Sequence, residues 1–257
     1  MDIKGKTALV TGGAAGIGQA AAVLLAKKGA ARLALADVDE AGMAQTLRLI
    51  EREGATGSAH RVDMADAAAL LAWLAEADRH GGYHILYNNA GVVSGEPQFP
   101  HAGPAKNKWI IDVNLTAPII ATEAAAHAMA ARGGGVIINT VSTVALGTGF
   151  SDALYASSKS GLMMFTRCCG ALKQSLNVRV AGVLPGLTDT PILQKTGAGG
   201  KAADWMAPIL SGYAKCTPLD IAEAVIDLIE DDDLPGGAWV AVRNVDGRIE
   251  REWGHKG

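Results

Sequence analysis

Short, uniformly apolar runs alternate along this chain with longer stretches whose apolar residues recur every three or four positions. The first run, Thr7 to Val10, ends at Thr11-Gly12-Gly13-Ala14-Ala15-Gly16-Ile17-Gly18. Helical spacing then follows through Ala22, Leu25 and Ala26, and Gly29 reads as a helix stop. A second strand, Arg32 to Ala36, ends on Asp37, and an amphipathic helix is predicted over 40–53. Gly57 to Val62 reads as a third strand terminated by Asp63, and Asp66 caps a helix running to about His80. Tyr83 to Tyr87 is a fourth strand closed by Asn88-Asn89-Ala90-Gly91, followed by a polar, Pro-containing loop over 94–106. One long helix is expected over about 108–131, with Asn114 near its middle. A fifth strand, Gly135 to Asn139, continues to Ser142. The Ala- and Ser-rich run after Asp152 starts a helix carrying Tyr155 and reaching about Leu176. Val178 to Val183 is a sixth strand ending at Pro185-Gly186, Pro218 to Glu230 is helical, and Ala238 to Val242 is a last strand.

Strands buried on both faces lose the apolar–polar alternation of half-exposed ones. Uniformly apolar strands alternating with helices therefore predict an α/β fold, a doubly wound parallel sheet of about seven strands with helices on both faces. No linker-like shift in composition divides residues 1–257, so one domain is expected. Composition adds mainly exclusions. With 49% apolar residues and 32 glycines the chain is not of the disordered class, and a net charge of −3 gives no reason to expect nucleic acid or an anionic membrane as partner. No apolar run is long enough to span a bilayer, and the residues after Met1 show no secretory h-region. Cys168, Cys169 and Cys216 are badly spaced for disulfides or a metal site, and His101, His127 and His255 have no partners at ligand spacing. A cytoplasmic protein without a metal is the expectation.

In such a sheet, ligands bind beyond the carboxyl ends of the strands, so residues that end strands carry the chemistry. Gly12, Gly16 and Gly18, with Ile17 between the last two, fit a tight turn and a close backbone approach. The helix N-terminus after them suits a pyrophosphate. Asp37, nineteen residues beyond Gly18, is placed to accept hydrogen bonds from an adenosine ribose; as an isolated residue it would serve equally as a solvated strand end or a helix cap. A carboxylate there repels a 2′-phosphate, and neither Ala14, Ala15 nor Val38 supplies a cation, so NAD is favoured over NADP. Asp63, with the backbone of Val62 or Met64 beside it, either accepts from an adenine amino group or caps the next helix. Asn89-Ala90-Gly91 either lets a cofactor lie against backbone or is an ordinary turn.

Tyr155 and Lys159 stand four residues apart, on one face of a helix. Lowering a phenol from ~10 to neutrality takes about 4 kcal/mol. A positive charge about 4 Å away supplies that at an effective dielectric of ~20. The pair by itself is also what a snorkelling lysine beside a half-buried tyrosine looks like.

Thr-Gly-x-x-x-Gly-x-Gly at 11–18, Asn-Asn-Ala-Gly at 88–91, Asn114, Ser142, Tyr155-x-x-x-Lys159 and Pro185-Gly186 occur in order. Together they resemble the short-chain dehydrogenase/reductase family over essentially the whole chain. Pro185 to Thr190, Leu228 to Asp232, Gly237-Ala238-Trp239 and the tail from Gly247 to Trp253 are similar to its hydroxyprostaglandin dehydrogenase and insect-type alcohol dehydrogenase group. The resemblance implies a single Rossmann-type domain and a tetrad. In it Tyr155 is the general acid/base, Lys159 holds the nicotinamide ribose and, with the positive nicotinamide of NAD⁺, lowers the phenol pKa, Ser142 hydrogen-bonds the reacting oxygen, and Asn114 bends its helix around a relay water. It implies further that Pro185, Gly186, Thr188 and Thr190 contact the nicotinamide amide and phosphates. The chain has Thr143 where a second serine often follows the catalytic one.

The resemblance also places a substrate lid at about 186–218, where Ile192, Leu193, Trp205, Met206, Ile209 and Leu210 are apolar and Gly197-Ala198-Gly199-Gly200 offers a hinge. Ala145, Leu146 and Phe150 come from the opposite wall. The expected activity is NAD-dependent interconversion of a hydrophobic secondary alcohol and its ketone. The alternatives are a reductase working mainly toward the alcohol, or a dinucleotide-sensing regulator without turnover. A homodimer or homotetramer, through helices 108–131 and 154–176, is also implied.

Overall fold

The computed structural model describes residues 1–147 and 150–254. The strands are β1 (Thr7–Thr11), β2 (Arg32–Asp37), β3 (Thr56–Arg61), β4 (Ile85–Asn88), β5 (Gly135–Thr140), β6 (Val178–Pro185), β7 (Trp239–Val245) and β8 (Arg248–Gly254). They form one sheet in the order β3-β2-β1-β4-β5-β6-β7-β8. The first seven run parallel, and β8 pairs antiparallel with β7. The chain winds outward from β1 to β3, then returns to the other side of β1 as β4. The ends of β1 and β4 therefore flank a switch point, where neighbouring connections leave in opposite directions and open a crevice.

The helices are α1 (Gly16–Lys27), α2 (Glu40–Arg52), α3 (Ala67–Arg79), α4 (Pro104–Ile111), α5 (Ala117–Ala130), α6 (Ala153–Cys168), α7 (Leu172–Leu176), α8 (Ala207–Gly212) and α9 (Pro218–Glu230). Four of the helices begin where the sequence provides a side-chain cap. Asp39, Asp66, Asp152 and Thr217 accept from the first-turn amides of α2, α3, α6 and α9, and Thr217 with Asp220 completes a capping box. α1, α4 and α5 lack such a cap, and at α1 the N-cap Ala15 has no side-chain acceptor to offer.

Alternate residues of the central strands feed cores on opposite faces. Ala8, Val10, Ile85 and Tyr87 pack with Leu25 of α1, Ile50 of α2 and Ile221 of α9. Leu9, Leu86 and Ile137 pack with Leu70 and Trp73 of α3 and Ala121 and Ala125 of α5. Between layers lies a buried polar chain. Asn88 Nδ2 donates to Asn139 Oδ1 (2.9 Å), Asn139 Nδ2 to Thr166 Oγ1 (2.9 Å), and Thr166 Oγ1 to the Leu162 carbonyl (2.8 Å). It ties β4, β5 and α6 together with each of these groups paired.

Three expectations change. The helix expected over 108–131 starts earlier, at Pro104, and is interrupted by a π-helical turn, Asp112–Thr116, that contains Asn114. The helix expected to run from Tyr155 to Leu176 breaks at a 3-10 turn over Cys169–Ala171, where Gly170 packs against the backbone of Gly236. The sheet has an eighth strand because Asp246-Gly247, with φ of 51° and 84°, turns the chain back as a tight hairpin. Its charged side chains pair at the edge, Arg243 with Glu252 (2.6 Å) and Arg251 with Glu223 (3.1 Å) and Asp227. Such pairs suit an edge strand that must not recruit another.

Candidate active site

The glycine-rich turn after β1 is shaped by contacts that exclude side chains. Gly12 has φ of 67°, and a Cβ there would lie 2.8 Å from Ala90 Cα; one on Gly18 would lie 2.1 Å from the Gly12 carbonyl oxygen. The turn is stitched to the end of β4. Asn89 Nδ2 donates to the carbonyls of Thr11 and Gly12 (3.1 Å each), and Thr11 Oγ1 accepts from the amides of Asn89 (3.0 Å) and Ala90 (3.1 Å). On the other side the Asp37 carboxylate accepts from the amides of Ala14 (3.1 Å), Val38 (2.7 Å) and Asp39 (3.1 Å). The result is a backbone cradle in front of an α1 N-terminus without its own side-chain acceptor. Free amides and the positive end of a helix dipole suit a phosphate group, and the Asp37 carboxylate at the rim adds an acceptor beside it. The residues present therefore fit a nicotinamide dinucleotide.

Thr190 meets this cradle from across the crevice: a Cβ on Gly16 would lie 3.2 Å from its Cγ2. Thr188 Oγ1 donates to the Gly186 carbonyl (3.0 Å), and the Cys216 amide donates to the Leu187 carbonyl (2.7 Å), which seats the segment after Pro185. Asp63 accepts from the Ala65 amide (2.9 Å), while Asp66 caps α3. The helix cap is thus Asp66 and not Asp63, and Asp63 lies in a local turn beside buried Val62 and Met64.

Asn114, Ser142, Tyr155 and Lys159 converge from four segments: the π turn, the end of β5 and two successive turns of α6. Asn114 is fully buried. Its Oδ1 accepts from the Val92 amide (2.8 Å), and its Nδ2 donates to the Val92 carbonyl (2.8 Å) and to Ser158 Oγ (3.1 Å). Gly91 lies between the two buried polar ends, since a Cβ there would approach Lys159 Nζ to 3.2 Å and Asn114 Oδ1 to 3.3 Å. Ser142 accepts from the Val144 amide (3.3 Å) at the start of a 3-10 turn, Thr143–Leu146.

The electrostatics differ from the expected contact pair. Lys159 Nζ lies over the Tyr155 ring, 5.8 Å from its centroid, and donates to the Thr140 carbonyl (2.8 Å). Burial lowers the Lys159 ammonium to about 8. Burial raises the Tyr155 phenol; the hydrogen bond with Ser142 opposes this, and the Asp152 carboxylate adds to it. In the protein alone, then, the phenol is held protonated. Without the positive nicotinamide, Lys159 at this distance does not bring it down.

The apolar wall is built as a stack. The Phe150 ring lies 6.1 Å from Tyr155 and 5.4 Å, edge-on, from Trp205 in the segment between β6 and α9. The Gly197–Gly200 stretch is a closed turn here. Buried Thr196 donates to the Leu193 carbonyl (2.8 Å) and accepts from the Ala203 amide (3.0 Å). Asp152 and Ser94 were not singled out by the sequence pattern, although the helix-cap signal at Asp152 was visible. Among the described residues no group of three or more His, Cys, Asp or Glu side chains could hold a metal ion, and no helix is long and apolar enough to cross a membrane. His255 lies outside those residues.

A parallel sheet with a glycine cradle at its switch point, facing a Ser–Tyr–Lys cluster, defines a dinucleotide-dependent oxidoreductase architecture. Comparison with known proteins agrees. The family described as short chain dehydrogenase matches residues 6–200, and the chain belongs to it. It is 34% identical over 252 residues to the NAD(+) 15-hydroxyprostaglandin dehydrogenase of Bos taurus, covering 92% of this chain and 90% of that one. It is 31% identical over 239 residues to the cyclopentanol dehydrogenase of Comamonas testosteroni, covering 90% and 92%. Among solved structures, the L-sorbose reductase of Gluconobacter frateurii, complexed with NADPH and L-sorbose, superposes with a TM-score of 0.83 at 28% identity, covering 95% of this chain and 97% of that one. The protein is thus an oxidoreductase of the class that acts on alcohols.

Proposed function

We propose that the protein uses NAD to interconvert a hydrophobic secondary alcohol and its ketone, with Tyr155 as general acid/base. The observation that carries this reading is the convergence of Ser142, Tyr155 and Lys159 at the carboxyl end of β5, opposite the glycine cradle. NAD, when bound, supplies the hydride acceptor and a positive nicotinamide ring. Gly12, Gly16, Ile17 and Gly18 would hold its pyrophosphate against α1. Asp37 with the Val38 backbone would take the adenosine ribose, Asp63 and Met64 the adenine, and Asn89, Ala90 and Gly91 the face of the dinucleotide. Pro185, Gly186, Thr188 and Thr190 would seat the nicotinamide end, and the Lys159 ammonium its ribose hydroxyls. Ser142 hydrogen-bonds the reacting oxygen, Tyr155 exchanges a proton with it, and Asn114, beside Gly91 and Lys159, would hold the relay water that links Lys159 to solvent.

NAD is favoured over NADP because the Asp37 carboxylate would repel a 2′-phosphate. The Phe150–Trp205 stack beside the phenol favours an apolar substrate under a lid at 186–218. The second reading is a reductase working mainly toward the alcohol, for which the protonated tyrosine is the form that donates to the ketone. A single-domain, cytoplasmic homodimer or homotetramer completes the proposal.

Tyr155→Phe tests it. Turnover of a secondary alcohol panel with NAD, followed by NADH absorbance, should fall by roughly 10²–10⁴-fold while NADH affinity is retained. Turnover equal to the wild type would refute the assignment.

A further inference from the structure

Asp152 is a carboxylate only 1% exposed, three residues before Tyr155. It accepts three hydrogen bonds: from the Ser94 amide (2.7 Å), Ser94 Oγ (2.5 Å) and the Tyr155 amide (3.1 Å). Two of the donors are backbone amides of segments distant in sequence, the loop after β4 and the first turn of α6. The same loop touches the lid on its far side. Gly95 has φ of 57°, and a Cβ there would lie 2.9 Å from the Lys195 carbonyl oxygen. Lys106 Nζ donates to the carbonyls of Gly95 (3.3 Å) and Pro97 (2.9 Å) from α4. Ser94 and Gly95 thus form a bridge from the cap of the Tyr155 helix to the lid.

We propose that Asp152 is a positioning residue for Tyr155, and that its carboxylate, through Ser94, sets both the place of the phenol and the seat of the lid. This rests on the acid/base role proposed for Tyr155. An amide side chain cannot replace the carboxylate. It offers one acceptor oxygen, whereas the amides of Ser94 and Tyr155 need one each. The charge acts as well as the geometry, because the carboxylate is among the groups that keep the phenol protonated. The other charged groups around it are engaged or outward. Lys159 bonds to Thr140, Lys106 to the loop carbonyls, and Lys108 to Asp112 (2.5 Å), while Lys195, Lys201 and Asp204 of the lid are exposed.

The test is a titration of Tyr155 by nuclear magnetic resonance with tyrosine labelled at Cζ, assigned by loss of its signal in Tyr155→Phe. Asp152→Asn should move the midpoint to lower pH. Ser94→Ala, which keeps the charge but removes one donor stabilising it, should move the midpoint to higher pH. In turnover, Asp152→Asn should lower kcat by roughly ten- to a hundred-fold, as misplacement of a reacting group does, with NADH affinity unchanged. A Tyr155 midpoint the same in wild type and Asp152→Asn would overturn the proposal. If Asp152→Asn does not fold, Ser94→Ala decides: an unmoved midpoint overturns it and an upward shift supports it. The titration needs no turnover, so a wild type inactive on every alcohol would count against the proposed function alone.

Discussion

Lys159 Nζ stands 2.8 Å from the carbonyl oxygen of Thr140, so the ammonium is tethered to the end of β5 and reaches the Tyr155 ring only across its face. A single carbonyl does not offset the loss of hydration around a buried charge, and the ammonium falls from 10.5 to about 8. Below about pH 8 the group is protonated in both folded and unfolded chains, and its burial costs stability in full. Between about 8 and 10.5 the unfolded chain binds the extra proton, so the cost fades as pH rises. Lys159→Met should therefore raise the melting temperature at neutral pH while abolishing turnover. The gain, on the order of 3 kcal/mol at most, should shrink toward pH 10.5. Thermal melts of both proteins across this range check it.

Asp37 accepts three backbone amides, one of them from Ala14 in the glycine-rich turn, so it shapes the cradle as well as lending it charge. Asp37→Ser removes the repulsion toward a 2′-phosphate and weakens the turn. NADH affinity should drop roughly ten-fold, about 1.4 kcal/mol, and the preference over NADPH should be lost. Fluorescence titration with both cofactors reads this directly. Wild-type protein that binds NADPH more tightly than NADH would contradict the cofactor assignment.

Gly18 has no space for a side chain, since an added Cβ would sit 2.1 Å from the Gly12 carbonyl oxygen and 2.5 Å from Asn89 Nδ2. Gly18→Ala must push α1 away from the turn and should cost about 3 kcal/mol. Gly5→Ala is the contrast: its φ of 75° is left-handed, unlike that of Gly18 in α1, but nothing lies within 4 Å. It should cost only about 1 kcal/mol, the backbone penalty alone. Denaturant midpoints of the two variants should separate accordingly.

Asn139 is fully buried at the centre of the polar chain joining Asn88 to Thr166. Asn139→Ala leaves the Asn88 amide only its longer bond to Thr122 Oγ1 (3.4 Å) and removes the tie between β5 and α6. A loss of about 2–4 kcal/mol in urea unfolding is expected. Because α6 carries Tyr155, kcat should fall as well, with NADH affinity less affected.

Much of this was legible in the chain. Most of the parallel strands were visible because strands buried on both faces are apolar throughout, although the outer β3 is polar and largely exposed, and capping residues marked several helix starts. β8 was missed because an edge strand reads as charged, Arg248-Ile249-Glu250-Arg251-Glu252, although Asp246-Gly247 is a hairpin signal. The break at Asn114 was invisible to periodicity. A π turn adds one residue without changing composition, and the partner of Asn114 within it, the Val92 backbone, is twenty-two residues away in the chain.

The sequence by itself determined the sheet, its winding, and which strand ends carry glycine, carboxylate, serine and tyrosine, because local periodicity and turn chemistry are short-range. Only the tertiary structure decided what those groups do to one another. It turned Lys159 toward Thr140, brought the buried Asp152 to Ser94, and raised the phenol, since desolvation and long-range hydrogen bonds depend on neighbours the chain supplies from afar.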